Sequence, residues 1–449
     1  MKILLVSANR VQTPHPVYPL GLDYVRGALT PRHEVRIVDV NVTGALEPLA
    51  AALRAESPDV VGISLRNIDN VDALALKSFL PNYERLCHLV RESTGAPIVL
   101  GGCGFSIFPG ELMALLDADY GVIGEGEYLP ALLEAIERGE DAATLPGVIV
   151  RGGEVKLPLP WPGEVVRQLD PVDERLRYYL ERGGILNLQT KRGCPFHCVY
   201  CSYPHIEGKE FRFFPPDRVA REAKTLEALG ARYLFITDSA FNADEEHSLA
   251  VARAFHREGL RIPWGAFLTP RRPVSGYYET LAEAGMAHAE FGTESLCDAQ
   301  LQRLGKPFRA EEVYDAHAAA RKAGLHVAHY FLFGGPGEGP ETVEETLAAM
   351  ETLEKAVFFL FCGVRIFPHT PLYRIALAEG QIRQEQDLLS PVFYRPSWIE
   401  AEEIGERVKR QARGRSHWVY GDGGPQTERI LTRMYARGHA GPLWEGLLR

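Results

Sequence analysis

Residues 193–201 read GCPFHCVYC and bring Cys194, Cys198 and Cys201 together in a C-x3-C-x2-C spacing. Three thiols on one short loop can converge on one soft metal centre. A 4Fe–4S cluster normally takes four thiolates, so three would leave one iron open to a substrate or cosubstrate. This stretch is the most specific signal in the chain, and it predicts a metal centre at the start of a new domain.

The histidines beside this loop keep a zinc alternative open. His197 and His205 could complete a tetrahedral site with the thiols. The remaining cysteines fit no ligand spacing and are interpreted as buried free thiols, although Cys103 lies in a glycine-rich turn where it could touch a ligand. These four are Cys87, Cys103, Cys297 and Cys362. Seven cysteines in 449 residues is typical of a reducing compartment, so we expect a cytoplasmic protein.

Apolar runs alternate with amphipathic helical stretches from residue 184 onwards. Strand–helix units of this kind over residues 184–380 are typical of a partial or full β/α barrel, whose reactive site lies at the carboxyl ends of its strands. The predicted strands are Ile185–Gln189, Tyr233–Thr237, Trp264–Leu268, His288–Gly292, Val327–Phe333 and Phe358–Ile366, and the predicted helices include Pro216–Leu229, Glu245–Glu258 and Ala310–Ala323.

Residues 1–145 show the same alternation and predict a doubly wound parallel sheet of the α/β class. The predicted strands are Lys2–Ser7, Glu34–Asp39, Asp59–Leu65, Ile98–Leu100 and Tyr120–Ile123, with helical patterns at Leu20–Leu29, Ala45–Arg54 and Asp72–Glu92. Ligands bind such sheets outside the carboxyl ends of the strands. Small residues occupy four strand-end turns here, at 7–10, 64–67, 101–106 and 124–127, which indicates a ligand site.

The passage between the two predicted domains is rich in proline and glycine and is interpreted as a linker or strap. The sequence beyond the barrel carries two arginine-rich helical patterns and predicts a small, mainly helical cap. The predicted division is 1–145 for the sheet domain, 146–183 for the linker, 184–380 for the barrel and 381–449 for the cap.

Composition excludes several classes of protein. Hydrophobic residues make up 46% and charged residues 24%, as in an ordinary globular protein. The net charge of −10 argues against a nucleic-acid partner. The longest apolar run, 356–364, is far too short to span a membrane.

The cysteine spacing, with Tyr200 before the last cysteine, resembles the radical S-adenosylmethionine (SAM) superfamily. The N-terminal half resembles the cobalamin-binding domain of the cobalamin-dependent branch of that superfamily. The two resemblances together cover roughly residues 1–375. They imply a Rossmann-like cobalamin-binding domain followed by a radical SAM barrel. They also imply three cofactors: a 4Fe–4S cluster on the three cysteines, SAM and cobalamin.

The resemblance assigns SAM to the carboxyl ends of the barrel strands. The open iron would chelate the amino and carboxylate groups of SAM, and electron transfer would cleave the sulfonium to give a 5′-deoxyadenosyl radical. The matching positions are Tyr200 near the adenine, Thr237, Asp238 and Ser239 at the methionine amine, Gly292, Glu294 and Ser295 at the ribose and methionine groups, and Gly334 and Gly335 against the adenine.

The resemblance to cobalamin-binding domains lacks one familiar feature, the D-x-H-x-x-G motif that supplies an imidazole to cobalt. The sequence therefore does not assign an axial ligand to cobalt. A guanidinium at Arg66 would discourage an anionic lower ligand, and the alternative for this residue is a plain salt bridge. The expected cobalamin-binding residues are Ser7, Ala8, Ser64, Arg66, Asn67, Gly101, Gly102, Gly104, Phe105, Gly124, Glu125, Gly126 and Glu127.

Four further residues are expected to point toward the barrel mouth. Tyr330, Glu290 and Arg365 are the candidate catalytic residues, and His369 accompanies them; each could position a substrate or accept a proton. The aromatic run 358–361 is interpreted as a buried strand, with an alternative role beside an apolar or lipid-like substrate.

Taken with the resemblance, these features predict a C-methyltransferase that acts on a small molecule and takes electrons from an external donor of the flavodoxin or ferredoxin type. One alternative is a cobalamin-dependent radical enzyme of non-methylating type, catalysing ring contraction, cyclisation or oxidation. Another is a corrinoid-binding sensor without catalysis. A methylthiotransferase would need a second N-terminal cysteine triplet and a basic tail, which the sequence lacks.

Overall fold

Two parallel sheets and a strap that crosses between them organise the chain. The computed structural model describes residues 1–157, 159–421 and 423–448. Residue 158 of the predicted linker and residues 422 and 449 of the predicted cap lie outside the described residues. Among the described residues, no helix combines the length and the apolar character that a membrane crossing requires.

The first sheet has six strands in the spatial order β2-β1-β3-β4-β5-β6. Its strands are β1 (Lys2–Ser7), β2 (Glu34–Asp39), β3 (Val60–Ser64), β4 (Ile98–Gly101), β5 (Tyr120–Val122) and β6 (Val148–Val150). The first five strands run parallel, and β6 pairs antiparallel with β5. Alternate residues of each strand enter separate apolar cores on the two faces of the sheet. The predicted doubly wound fold is therefore confirmed.

Helices cover both faces of this sheet. They are α1 (Leu20–Leu29), α2 (Val40–Thr43), α3 (Glu47–Glu56), α4 (Leu80–Ser93), α5 (Cys103–Ile107), α6 (Pro109–Leu115) and α7 (Leu129–Arg138). The helix predicted at Asp72–Glu92 begins only at Leu80, because Pro81 favours the first turn of a helix and not its interior. Residues before it form a loop closed by a bridge between Asp69 and Ser78.

A strap, residues 151–173, leads from the first sheet to helix α8 (Glu174–Glu181) and the barrel. It lies flush against α1, because a Cβ on Gly27 would stand 2.1 Å from the carbonyl oxygen of Val166. Arg167 then joins the two halves of the molecule: it pairs with Asp23 of α1 at 3.1 Å and donates to the carbonyl of Asn187 at 2.9 Å.

The second sheet has seven parallel strands in the order β15-β14-β13-β12-β11-β10-β7. They are β7 (Ile185–Leu188), β10 (Tyr233–Ile236), β11 (Trp264–Leu268), β12 (Met286–Glu294), β13 (His326–Phe333), β14 (Ala356–Cys362) and β15 (Trp418–Tyr420). The short strands β8 (Lys191–Arg192) and β9 (Arg212–Phe213) form a separate ribbon beside it. Because β7 and β15 are the edges of the described sheet, the barrel is a partial one.

Most helices of this half of the chain pack on the outer face of the curved sheet and form the largest apolar core, but the helix at Pro371–Ala378 packs in a core of the first sheet. The helices of this half are α9 (Tyr203–Ile206), α10 (Pro216–Ala228), α11 (Glu245–Glu258), α12 (Tyr277–Glu283), α13 (Asp298–Arg303), α14 (Ala310–Lys322), α15 (Pro340–Met350), α16 (Pro371–Ala378), α17 (Ala401–Ala412) and α18 (Gly424–Ala436).

Two sequence expectations about the end of the barrel need correction. The strand predicted to reach Ile366 ends at Cys362, because Gly363 adopts a φ of +96° that a strand does not allow. Residues 381–449 were expected to form a separate cap. They are mainly helical, but they also supply β15 to the sheet, and a 3-10 helix at Trp444–Leu448 packs on β13 and β14.

Candidate active site

The cysteine loop, residues 193–201, begins directly after the ribbon strand β8, and its first residue is a glycine that fixes its path. Gly193 has a φ of +85°, and a Cβ on it would stand 2.0 Å from the carbonyl oxygen of Glu210, so only glycine fits. The amide of Cys194 donates to Gly208 at 3.1 Å. Cys194 is buried, whereas Cys198 and Cys201 are partly exposed. The fold therefore presents three free thiols from one rigid turn.

The zinc alternative finds no support in the arrangement of the donors. Among the described residues, no group of three or more His, Cys, Asp or Glu side chains surrounds a single point closely enough to share one ion. His205 instead stacks on His369, with ring centroids 4.2 Å apart and planes 9° apart. In a 4Fe–4S cluster each thiolate binds a different iron, so the thiols need not meet at one point.

Asp238 anchors the cysteine loop from the end of β10. Its carboxylate accepts from the amide of Thr190 at 2.8 Å and pairs with Lys191 at 3.1 Å, with both charged side chains fully buried. The expectation that Asp238 contacts a methionine amine is therefore corrected: the carboxylate is engaged by the chain itself. Thr237 lines the large cavity described below, and Ser239 bonds the carbonyl of Gly193 at 3.4 Å.

A polar trio stands beside the cysteine loop. The hydroxyl of Tyr200 donates to Glu294 at 2.7 Å, and Lys306 pairs with the same carboxylate oxygen at 2.9 Å. Glu294 ends β12 in the left-handed region, with a φ of +61°. The structure thus brings together two predicted residues and one, Lys306, that sequence reasoning missed, since nothing in its local sequence marks it.

The other predicted SAM residues divide into two groups. Gly292 is open: a Cβ there would touch no atom closer than 3.4 Å. Ser295 and Gly335 face the interior of the fold. The hydroxyl of Ser295 bonds Thr346 at 2.8 Å, and a Cβ on Gly335 would stand 2.8 Å from Leu304. For Ser295 and Gly335 the expectation of a direct ligand contact is corrected, while the amide of Gly334 is held by Glu338 at 3.0 Å.

One large cavity, of about 1590 Å³ including its open mouth, lies between the two sheets. Nine of the residues expected to bind cobalamin line it: Ser7, Ser64, Arg66, Gly101, Gly102, Gly124, Glu125, Gly126 and Glu127. The cavity also reaches Asn187, Gln189 and Thr237 at the ends of β7 and β10. The strand ends of the first sheet and the barrel therefore share one continuous space.

Four of the expected cobalamin residues do not line this cavity. Ala8 and Phe105 are buried in the apolar core, at 3% and 0% exposure. A Cβ on Gly104 would meet the carbonyl of Arg66 at 3.1 Å, and the carbonyl of Asn67 accepts from the hydroxyl of Tyr83. Ala8 and Phe105 support the loops around the cavity from the core, and a contact of Ala8, Asn67, Gly104 or Phe105 with cobalamin stays a prediction.

The shape and chemistry of the cavity fit a corrin with an extended nucleotide. Its inner end is an apolar slot lined by Leu5, Val25, Gly62, Val99, Val122 and Leu129. A Cβ on Gly62 would stand 2.7 Å from Leu5, and one on Gly126 would stand 2.4 Å from Val25, so the glycines keep the slot open. At the rim, the side-chain amide nitrogen (Nδ2) of Asn9 is buried without a hydrogen-bond partner among the described residues. An unpartnered buried donor of this kind favours a bound polar ligand.

Arg66 lines the same cavity, and within 4.0 Å it has no carboxylate from the described part of the chain. The salt-bridge alternative for this residue is thus not met. Cys103 lines this cavity too and is exposed, so its interpretation as a buried thiol is corrected. Glu207 also faces the cavity; burial raises its pKa to about 7, and its carboxylate accepts from the amide of Gly193 at 3.2 Å.

Glu125 and Glu127 tie the cavity to the cysteine loop. Arg192, which directly precedes Gly193, forms an ion pair with Glu125 and pairs with Glu127 at 2.8 Å. Arg212 of the ribbon also reaches Glu125, at 2.6 Å. Glu125 and Glu127, both expected to bind cobalamin, are thus held by arginines next to the cysteine loop, and these ion pairs fix the cavity relative to the loop.

Of the candidate catalytic residues, two meet inside the barrel and one does not. Tyr330 donates to Glu290 at 2.7 Å, and Glu290 also accepts from the indole of Trp444 at 3.0 Å. Arg365 is 1% exposed and pairs with Asp69 at 2.8 Å. The expectation that Arg365 points toward the barrel mouth is therefore corrected, because its guanidinium forms a buried ion pair with Asp69 of the first domain.

Comparison with known proteins identifies two families that this architecture matches. The chain matches the B12 binding domain family over residues 6–133 and the radical SAM superfamily over residues 188–350. It is 27% identical to tryptophan 2-C-methyltransferase of Streptomyces laurentii, over 84% of this chain and 74% of that protein. It is 24% identical to cytidylyl-2-hydroxyethylphosphonate methyltransferase of Streptomyces wedmorensis, over 90% of this chain and 88% of that protein.

A solved structure agrees with these relationships. The radical SAM methyltransferase TsrM of Kitasatospora setae, with cobalamin and a [4Fe-4S] cluster bound, superposes with a TM-score of 0.77 at 26% identity, over 92% of this chain and 81% of that chain. The three cysteines, the cavity between the sheets and these relatives lead to one conclusion. The chain belongs to the cobalamin-dependent radical SAM enzymes, with a B12-binding domain ahead of its radical SAM domain.

Proposed function

We propose that this enzyme transfers the methyl group of SAM to a carbon atom of a small molecule. The observation that carries the proposal is the single cavity that runs from the strand ends of the B12-binding domain to residues 187, 189 and 237 of the barrel. A methyl carrier held in the first domain would face the cysteine loop across that space. The two relatives described above are both methyltransferases, which further supports this reaction.

The chain's own residues mainly position the cofactors and SAM. When bound, the cluster and cobalamin supply electron transfer to SAM and a carrier for its methyl group. Cys194, Cys198 and Cys201 would hold the cluster, and Tyr200 with its partner Glu294 would stand beside SAM. Arg66 would face the corrin as an unpaired cation and disfavour an anionic ligand there.

The test uses anaerobically reconstituted holoenzyme and SAM labelled isotopically on its methyl group. Label in the corrinoid fraction, together with 5′-deoxyadenosine, is the expected result. 5′-Deoxyadenosine without corrinoid label would instead favour ring contraction, cyclisation or oxidation. A protein that binds corrinoid but makes neither product, and keeps its biological effect when the three cysteines are replaced by alanine, would be a sensor and would contradict the proposal.

An external low-potential donor of the flavodoxin or ferredoxin type would supply the electron, and a cytoplasmic location would suit this partner. The sequence contains no second cysteine triplet to relay electrons. Segments at the end of α13 and the start of α16 cover the cysteine loop, because Val199 bonds Leu304 at 3.0 Å and Leu372 at 2.8 Å. Their exposed cations Arg303 and Arg374 have no ion-pair partner among the described residues. This surface suits an acidic carrier.

Reversing both charges, as Arg303→Glu with Arg374→Glu, is expected to slow reduction of the cluster by an acidic flavodoxin roughly tenfold at low salt. Reduction by dithionite should not change, since a small reductant needs no docking surface. Stopped-flow absorbance measures both rates. Arg253→Glu, an exposed cation on α11, is the matched control. Equal slowing with both reductants would show damage to the cluster and contradict the docking surface.

A further inference from the structure

The interior of the barrel is lined by a belt of partly exposed aromatic rings. We define the aromatic belt as Phe235, Phe267, Tyr330, Phe359 and Phe361, which lie on β10, β11, β13 and β14, on either side of β12. Phe267 is 40% exposed although its strand lies in the middle of the sheet. The neighbouring residues on the outer face of the same strands, such as Ala266 and Leu360, are fully buried. Because barrel interiors are normally filled by side chains, exposed rings on the inner face alone indicate a chamber that holds a ligand.

The rings of the aromatic belt form one continuous surface. Phe267 meets Phe235 edge-on at 4.9 Å and Tyr330 edge-on at 5.8 Å. Tyr330 stacks on Phe359 at 4.8 Å and lies nearly parallel to Phe361 at 6.3 Å. The electron-rich faces of such rings attract cations as well as apolar groups.

Glu290 lies next to this belt, since it pairs in register with Phe267. It is 4% exposed, and each of its carboxylate oxygens accepts one hydrogen bond, from Tyr330 and from Trp444. Trp444 can only donate, so the oxygen of Glu290 that it meets is an acceptor. No Lys, Arg or His among the described residues lies within 4.0 Å to balance the charge.

A buried carboxylate without a counter-charge is costly, and an arriving cation removes that cost. Burial raises the pKa of Glu290, while the hydrogen bonds from Tyr330 and Trp444 oppose the rise. The nearby His288 is turned away from it, with its two ring nitrogens bonded to Tyr233 at 2.9 Å and to Glu445 at 3.2 Å. His288 therefore forms no direct ion pair with Glu290, although its charge also acts to lower the pKa of that carboxyl.

We propose that Glu290 and the aromatic belt recognise a protonated amine on the substrate, so that the enzyme acts on amine-bearing small molecules with an apolar or aromatic body. An ammonium group would pair with the free lone pairs of Glu290, and the aromatic faces would pack on the rest of the molecule. Because it names the substrate class of the proposed methyl transfer, this inference rests on that function. Glu290 is then the specificity-determining residue, and Trp444 is a positioning residue that orients it.

The test compares amine and alcohol probes of equal shape on holoenzyme, by isothermal titration calorimetry. The pairs are phenethylamine with 2-phenylethanol and tryptamine with tryptophol. Each amine should bind roughly tenfold or more tightly than its alcohol, as expected for one charge-assisted hydrogen bond. Glu290→Gln should abolish that preference and leave alcohol binding unchanged. Glu283→Gln, an exposed acid on α12, should keep the preference.

The comparison within the wild-type protein needs no variant, so poor folding of Glu290→Gln would not remove the test. Amines that bind no better than alcohols, or no measurable amine binding, would overturn the inference, as would a preference that survives Glu290→Gln. An amine preference in an enzyme that passes no methyl label to the corrinoid would contradict the proposed function alone. Label transfer without an amine preference would contradict the inference alone.

Discussion

Replacing Cys198 by alanine is expected to leave the protein unable to hold its cluster and to lower 5′-deoxyadenosine formation from SAM by at least about a thousandfold. The loop of residues 193–201 supplies three thiolates and no more, and Cys87, Cys297 and Cys362 are buried elsewhere. Iron content after anaerobic reconstitution and chromatography of the SAM products measure the two effects. Cys194→Ala and Cys201→Ala should behave in the same way.

The matched control is Cys297→Ser. Cys297 is the N-cap of α13, and serine is a favoured residue at that position, so stability should not fall. This variant should keep its iron and its activity. Cobalamin binding should persist in the three loop variants, because the first sheet builds its cavity without the thiols. Full iron occupancy in Cys198→Ala would contradict the assignment of the cluster to this loop.

Introducing a large side chain at Gly21 is expected to weaken cobalamin binding roughly ten- to a hundredfold without unfolding the protein. Gly21 lies in the first turn of α1 and lines the large cavity, and a Cβ on it would meet nothing within 4 Å. In Gly21→Leu the new Cβ therefore meets no protein atom, and we expect the rest of the side chain to extend into the space that the ligand would occupy. Leucine also favours a helix more than glycine does.

Corrinoid retained after gel filtration, together with a thermal melt of the apoprotein, measures this effect. Gly95→Leu is the matched control, because a Cβ there also meets nothing within 4 Å and Gly95 does not line the cavity. Unchanged corrinoid binding in Gly21→Leu would place cobalamin elsewhere. A lowered melting temperature in Gly21→Leu alone would point to strain in the helix.

The fold was predictable from the sequence wherever an element is marked by residues that lie close together in the chain. Strands β1, β2 and β11 and helices α1 and α11 begin and end at the predicted residues. The apolar runs and amphipathic periods that predict them depend only on residues close in sequence. The cysteine loop was predictable for the same reason, since three ligands within eight positions need no knowledge of the fold. Gly363, which ends β14, escaped because one glycine can continue or break a strand.

The partners of the site residues could not be predicted, because they come from distant parts of the chain. The sequence around Asp238 does not indicate its ion pair with Lys191. Likewise, the sequence around Glu294 does not indicate its ion pair with Lys306. Trp444 reaches Glu290 from 154 positions away. A side chain assigned to a ligand by its motif can be used instead by the protein, and only the packed structure decides between the two.

The ion pairs of Arg192 limit how such enzymes can be recombined. One arginine, adjacent to the cysteine loop, is bound by two carboxylates of the first domain. A chimera that exchanges the B12-binding domain for that of a relative would have to import both glutamates with it, or leave a buried guanidinium without a charge partner. In this chain the two halves are therefore coupled by a buried charge network, and we expect the exchange of one half alone to destabilise the enzyme.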